Sequence, residues 1–277
     1  MKAVLIFDAD NTIWDTDAVF RGAQLALLKT FAKAELITQP DLQLKTLRTL
    51  DQALVNKLGQ AEYDFKLLST ALACFYSQKS TLSEAVDAAV HAKPVMNPIL
   101  TGVCEEAYQA FKRELRRVPP LYPETIPVLS AIRASASEAN SLVTILHSEG
   151  NHTRLEHILE AHNIWGQRLF DEIIIAPKSK EAFEQAKGIG LRLLSQTTGS
   201  KGVVFVLIGD SLHRDIKFGN QAGFITVYKP SAFKGFETPN TPDEQPCYTI
   251  QSLGELPTIL KEDLGLPIQS PVQNRLY

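Results

Sequence analysis

The chain has no long apolar run. The longest, such as VVFVLI at 203–208, fall far short of the ~20 residues that a membrane-spanning helix requires, so no membrane partner is expected. Cysteine is scarce as well. Cys74, Cys104 and Cys247 are too few and too scattered for a disulfide framework or a metal knuckle, and they read as ordinary core filler in a reducing setting. Charge of one sign does not dominate. With 28 Lys and Arg against 31 Asp and Glu, a net charge of −3 and no basic stripe, nucleic acid is not an expected partner. The six histidines show no metal-ligand spacing, and no repeat or low-complexity tract occurs. The opening residues meet Asp8 after five apolar positions, too early for a signal peptide, so a cytoplasmic location is expected. What is present suits a globular protein: 277 residues at 44% hydrophobic content can bury a full core in one large domain or two unequal ones.

Five short runs are continuously apolar rather than alternating: AVLIF (3–7), SLVTIL (141–146), EIIIA (172–176), VVFVLI (203–208) and FITVY (224–228). Strands covered on both faces have this pattern. Helical spacing fills the gaps between the last four, first at Leu155, Ile158 and Leu159, then at Phe183, Ala186 and Leu191, then from Ile216 to Ala222. The alternation predicts an α/β fold with a doubly wound, parallel, Rossmann-like sheet. CYTIQSLGEL (247–256) is expected to add an edge strand and a final helix, and the proline-bearing tail from Gly265 to be irregular.

The stretch from the first strand to the helix near Pro123 is far too long for an ordinary crossover. Its apolar residues recur at three and four, as in Phe20, Ala23, Leu27 and Phe31, or Leu47, Leu50, Leu54 and Leu58, or Val103, Ala107, Phe111 and Leu115. An inserted all-α domain is therefore expected over 17–118, with the Rossmann-like core made of 1–16 and 119–277. Thr81 to Glu84 spells a capping box, and Asn97 followed by Pro98 suits an N-cap and the first helical position.

Ligands of a doubly wound sheet sit beyond the carboxyl ends of its strands. Asp8, Asp10 and Thr12 follow the first strand, His147, Ser148, Glu149 and Gly150 the second, Lys178 and Lys180 the third, and Asp210, Ser211 and Asp215 the fourth. Acids, hydroxyls and an ammonium thus gather on one edge. A histidine such as His147 at a strand end is most often satisfied by a neighbour, and Trp14, Asp15 and Asp17 either line a flap or seat the first inserted helix.

These residues carry a resemblance. DADNT (8–12) resembles the DxDxT signature of the haloacid dehalogenase-like superfamily, Ser148 falls where its second motif has Ser or Thr, Lys178 resembles its third motif and GDSLHRD (209–215) its fourth. The helical insertion after the first motif is similar to that superfamily's type-1 cap domains. The resemblance implies an enzyme, a Mg²⁺-dependent phosphatase hydrolysing a small-molecule phosphate monoester. Asp8 is the implied nucleophile and Asp10 the implied acid and base, also meeting the metal through its backbone carbonyl. Asp210 joins Asp8 as a direct metal ligand, and Asp215 binds directly or through water. Thr12 and Ser148 are the implied donors to phosphoryl oxygens, and Lys178 the cation against both phosphate and Asp8, with Lys180 as its rival.

The chemistry fits those residue types. Two carboxylates spaced by two can point the same way from an extended segment, and their surroundings can drive their proton affinities apart. A carboxylate nucleophile splits a slow displacement into two steps, but anion must then meet anion, which calls for a hard cation held by oxygen ligands. A halide leaving group needs no proton, so Asp10 argues for phosphoryl transfer. Hydrolysis of a phosphonate or C–halogen bond, or ligand binding without turnover, is the alternative. The substrate itself and the oligomeric state are not legible.

Overall fold

The computed structural model describes residues 2–59, 64–78, 80–91, 97–136, 141–195, 202–231 and 237–269. In chain order the regular elements are β1 (Lys2–Asp8), α1 (Thr16–Lys33), α2 (Leu44–Leu58), α3 (Lys66–Gln78), α4 (Leu82–His91), α5 (Pro98–Leu115), α6 (Thr125–Ala134), β2 (Ser141–Ser148), α7 (His152–Ala161), β3 (Glu172–Ile175), α8 (Lys180–Ser195), β4 (Val203–Gly209), α9 (Lys217–Gln221), β5 (Ile225–Tyr228), β6 (Tyr248–Thr249) and α10 (Leu256–Thr258). Short 3₁₀ and π-helical turns link several of them, notably a π-helical turn over Leu212–Ile216 between β4 and α9. Among the described residues no helix is long and apolar enough to cross a membrane.

The chain forms two compact units, one of Met1–Asp17 with Val118–Tyr277 and one of Ala18–Arg117. The first is built on a six-stranded parallel sheet in the order β3-β2-β1-β4-β5-β6. Alternation along the central strands explains their continuous apolar spelling. Ala3, Leu5 and Phe7 of β1, Leu142 and Leu146 of β2, and Val206 and Ile208 of β4 pack with Val128, Leu129 and Ile132 of α6 and Leu155, Ile158 and Leu159 of α7. The intervening Val4, Ile6, Val143, Ile145 and Leu207 pack on the opposite face with Phe183 and Ala186 of α8. Both faces are covered, which parallel sheets require. Gly190 lets α8 come close, since a Cβ there would lie 2.5 Å from Val4 Cγ1.

The order of the strands reverses at β1, so the crevice of this sheet lies beyond the carboxyl ends of β1 and β4. The expected edge strand shrinks to the two residues of β6, and the expected final helix becomes a succession of short turns from Leu253 to Asp263. The tail after Gly265 has no regular structure through Gln269, yet Leu266 and Ile268 are buried in the core; residues 270–277 lie outside the described part.

The second unit is a helical bundle. Leu27 and Phe31 of α1, Leu47, Leu50 and Leu54 of α2, Leu68 and Leu72 of α3, Ala85 and Ala89 of α4, and Ala107 and Phe111 of α5 form its core. At α4 the capping box is formed, with Glu84 N donating to Thr81 Oγ1 at 3.3 Å and Thr81 N donating to Glu84 Oε2 at 2.8 Å. Asn97 caps α5 by accepting from Leu100 N at 2.8 Å, ahead of Pro98.

Candidate active site

β1 ends at Asp8, whose side chain is 4% exposed and engaged at both oxygens. Lys178 donates from Nζ to Oδ1 at 2.5 Å, and Thr12 donates from Oγ1 to Oδ2 at 3.0 Å. Lys178 sits between two acids, because its Nζ is also 2.6 Å from Asp215 Oδ1. Asp215 reaches inward from the π-helical turn after β4, and its Oδ2 accepts from Ser211 N at 3.1 Å. This placement depends on Gly209, where a Cβ would lie 2.3 Å from Asp215 Cγ. Asp210 follows Gly209, is buried, and accepts from Asn11 Nδ2 at 3.2 Å.

One oxygen from each of Asp8, Asp210 and Asp215 lies within 4.8 Å of the others. The three buried carboxylates outnumber the ammonium groups of Lys178, which touches two of them, and Lys229, which faces Asp210 electrostatically, and all three are hard oxygen donors. The set fits a divalent cation such as Mg²⁺. Burial pushes the Asp8 carboxyl up to about 6 against the pull of Lys178, with Asp210 and Asp10 adding to the rise. Asp215 is likewise raised to about 6 by burial, opposed by Lys178. Burial works the other way on Lys178, but Asp215 and Asp8 outweigh it and hold its pKa above the usual lysine range. The ammonium therefore stays charged.

Asp10 is partly buried and is oriented by two donors on one oxygen: Trp14 Nε1 at 2.9 Å and the Thr16 hydroxyl both reach Oδ1. Its other oxygen is engaged by neither. Ser148 ends β2 beside β1, buried, and its Oγ accepts from Gly150 N at 3.1 Å. Accepting leaves the hydroxyl hydrogen available for a further acceptor. Lys180, by contrast, is half exposed at the start of α8 and lies 3.7 Å from Glu184. His147 faces the other way: its Nε2 meets the Ala176 carbonyl at 3.2 Å and its ring packs edge-on to Phe183 at 5.1 Å. Burial pushes that imidazole down to about 4, so it is neutral near pH 7. The structure thus gathers Asp8, Thr12, Lys178, Asp210 and Asp215 by direct contact or within ligand distance, with Asp10 just past β1 and Ser148 at the end of the neighbouring β2.

Several contributors are not legible in the motif spelling. Asn11 holds a left-handed backbone with φ of 58°, a conformation that asparagine tolerates better than most residues. Glu149 accepts from Lys178 N at 2.6 Å and from Arg214 Nη1 at 2.7 Å, tying three loops of the site together. Lys229, directly after β5, is buried and donates from Nζ to the Asn11 carbonyl at 2.8 Å. Inspection of strand ends carried one strand further would have reached Lys229, because the strand-end rule applies to β5 as much as to β4. Glu149 carried that strand-end signal after β2, but nothing in the sequence marked it as the acceptor of Lys178 N. Trp14 and Asp17, ambiguous in sequence, belong to the same hydrogen-bonded knot: Asp17 N donates to Asn11 Oδ1 at 3.0 Å, and the Ser231 hydroxyl donates to Asp17 Oδ2.

Residues 2–223 match the family model of the haloacid dehalogenase-like hydrolases. No curated protein matches the sequence. Among solved structures the chain is similar to YfnB of Bacillus subtilis, assigned as a HAD-hydrolase and bound to magnesium, at 22% identity and a TM-score of 0.53 over 94% of this chain and 98% of that one. It is also similar to a haloacid dehalogenase-like family hydrolase from Xanthomonas campestris, at 16% identity and a TM-score of 0.55 over 96% and 92% of the two chains. Likenesses at these identities bear on the fold alone. The family match covers the site-bearing strands and the helical unit together, and the chain belongs to the haloacid dehalogenase-like hydrolases.

Proposed function

We propose that this protein is a Mg²⁺-dependent phosphatase acting on a small-molecule phosphate monoester through an aspartyl phosphate on Asp8. The observation that carries this reading is the pairing of a buried carboxylate nucleophile with a second, differently held carboxylate two residues on. Asp8 is locked by Lys178 and Thr12, whereas Asp10 is turned by Trp14 and Thr16 and keeps one oxygen clear of them.

Asp8 attacks phosphorus in line with the leaving alcohol, forming an O–P bond as the ester O–P bond breaks. The Asp10 carboxyl gives its proton to the departing alkoxide and, as a carboxylate, then takes one from the water that opens the acyl phosphate. Lys178 holds Asp8 in position and presents a fixed positive charge to the phosphoryl oxygens. Ser148 and Thr12 donate hydrogen bonds to those oxygens, Thr12 by turning its hydroxyl away from Asp8. Asp8, Asp210 and Asp215, with the Asp10 backbone carbonyl, would hold Mg²⁺, which when bound screens the nucleophile from the phosphate dianion. The raised pKa of Asp8 supports this assignment, since a carboxylate that burial disfavours gains from a nearby cation.

The second acid also separates this reading from C–halogen hydrolysis, in which nothing needs a proton on departure. The test is hydrolysis of p-nitrophenyl phosphate with Mg²⁺, followed by a panel of phosphorylated metabolites. Turnover is expected to vanish with EDTA and in Asp8→Asn; equal rates for wild type and Asp8→Asn would point to a ligand-binding protein instead.

A further inference from the structure

The family motifs leave a buried lysine unused. Lys229 is 4% exposed, and its ammonium lies 3.6 Å from the centroid of the Tyr122 ring while donating to the Asn11 carbonyl at 2.8 Å. Burying a second ammonium in one unit is costly unless its partners are fixed. Here the hydrogen bond of the ammonium leads to Asn11. Asn11 stands in the left-handed region, its N–H donates to the Trp14 carbonyl at 2.8 Å, its Oδ1 accepts from Asp17 N, and its Nδ2 holds Asp210 Oδ2 at 3.2 Å. Ser231, two residues past Lys229, closes the loop by donating to Asp17 Oδ2.

We propose that the segment after β5 is a clamp on the first site loop, in which Lys229 is a positioning residue that fixes Asn11 by its carbonyl and Asn11 in turn aims Asp210 at the divalent cation. The proposal rests on the Mg²⁺ site described above. Its logic is geometric. A non-glycine residue at positive φ sits in a sparsely populated conformation that persists only where the surrounding structure holds it, so the aim of the Asn11 amide depends on its peptide being held from outside. The ammonium over Tyr122 provides that hold, combining a hydrogen bond with a cation–π contact in a water-poor setting. The carbonyl held belongs to the peptide between Asn11 and Thr12, one residue past Asp10, so the clamp steadies the segment that carries the acid and base as well.

Two substitutions separate the parts. Asn11→Gly keeps positive φ accessible but removes the amide that holds Asp210. Lys229→Met keeps the length and apolar body of the side chain but removes the ammonium. Magnesium binding to the full protein is measured by calorimetry without substrate, alongside p-nitrophenyl phosphate turnover and amide exchange of the metal-free protein. Each variant is expected to bind Mg²⁺ about tenfold more weakly, the scale seen when a group that orients a metal ligand is lost. The Asp17 amide is expected to exchange faster in both. In the Asn11→Gly background Lys229→Met is expected to add little, because both act through one link.

Wild-type Mg²⁺ affinity in either folded variant overturns the clamp, and so do fully additive losses. If Lys229→Met fails to fold, Asn11→Gly alone decides by the same criterion. A wild type that binds Mg²⁺ but hydrolyses no phosphate ester sinks the phosphatase reading and leaves the clamp standing; a wild type that binds no Mg²⁺ overturns both.

Discussion

The two units bury different things. In the sheet unit the interior holds Asp8, Lys178, Asp210, Asp215, Lys229 and Glu244, charged groups that burial penalises unless each finds a partner. Among the described residues of the helical unit the buried polar side chains are Gln24, Thr30 and Ser69, all uncharged, and the rest of the interior is aliphatic, aromatic or the thiols of Cys74 and Cys104. One interior is arranged for chemistry at some cost in stability, while the other is arranged for packing. The contrast predicts that substitutions in the first will separate activity from stability, and that substitutions in the second will not touch the chemical step.

The sharpest way to break that contrast is Asp8→Asn. Removing the proposed nucleophile is expected to lower kcat by about 10⁴-fold or more, the scale found when a covalent nucleophile is deleted. The folded protein should lose little, since the substitution also removes a charge that burial already disfavours. A large fall in denaturation midpoint without Mg²⁺ would show that Asp8 supports the fold as well, and the contrast would weaken. The opposite case is Phe111→Ala, which empties a fully buried ring site in the helical unit. It is expected to cost about 3–5 kcal/mol of stability by urea unfolding. The kcat of the molecules that remain folded should match wild type, and a kcat loss beyond the unfolded fraction would count against the division of labour.

Much of this was legible, for identifiable reasons. Continuous apolar runs at AVLIF and VVFVLI announce strands covered on both faces, because only such strands are apolar at every position. The three-and-four spacing of Leu47, Leu50 and Leu54 announces a helix because one face of α2 does the packing. Asp8, Thr12, Lys178, Asp210 and Asp215 could be read together because each follows a strand end in a sheet whose order brings those ends side by side. The positions of Glu149, Asn11 and Lys229 after strand ends were legible too, but not their roles, which depend on which backbone amide or carbonyl a loop turns toward them. A hydrogen bond from Lys178 N to Glu149 joins residues far apart in the chain and has no local spelling. The brevity of β6 was hidden too, since Ile250 continues the apolar pattern and still donates from its N–H to the Tyr228 carbonyl at 2.9 Å, yet the strand ends at Thr249.

His147 offers a smaller effect that sharpens the comparison from inside the sheet unit. Its imidazole is fully buried and its pKa falls from the usual 6.5 to about 4 because burial disfavours the charged ring. The unfolded chain therefore takes up a proton near pH 6.5 while the folded protein does not until about pH 4. The stability tied to this group is complete above pH 6.5 and is lost as pH falls toward 4, a change on the order of 3 kcal/mol. Asp8 and Asp215 act in the opposite sense, since carboxyls raised to about 6 relieve the folded state as they protonate. The His147 contribution must therefore be read as a difference between wild type and His147→Gln, in metal-free buffer at pH 7 and pH 4.5. Wild type is expected to lose more than the variant on acidification; parallel losses would mean that the ring is solvated or charged where it lies.

The smallest effect belongs to the helical unit and tests whether its stability is local and separable. Thr81→Ala removes the hydroxyl that accepts from Glu84 N, and it also removes the donor that steadies Glu84 Oε2 at 2.8 Å. Helix α4 would then start with an unsatisfied amide in its first turn, which costs about 1 kcal/mol when a Thr cap is lost. Glu84→Ala breaks the reciprocal half of the same box, so the two losses should not add in the double variant. The readout is urea unfolding with kcat and KM measured in parallel. Unchanged kinetics beside a small, non-additive loss of stability would show that the bundle is held by contacts that report nothing to the acids at the ends of β1 and β4. A shift in KM would instead tie the entry to α4 to substrate choice.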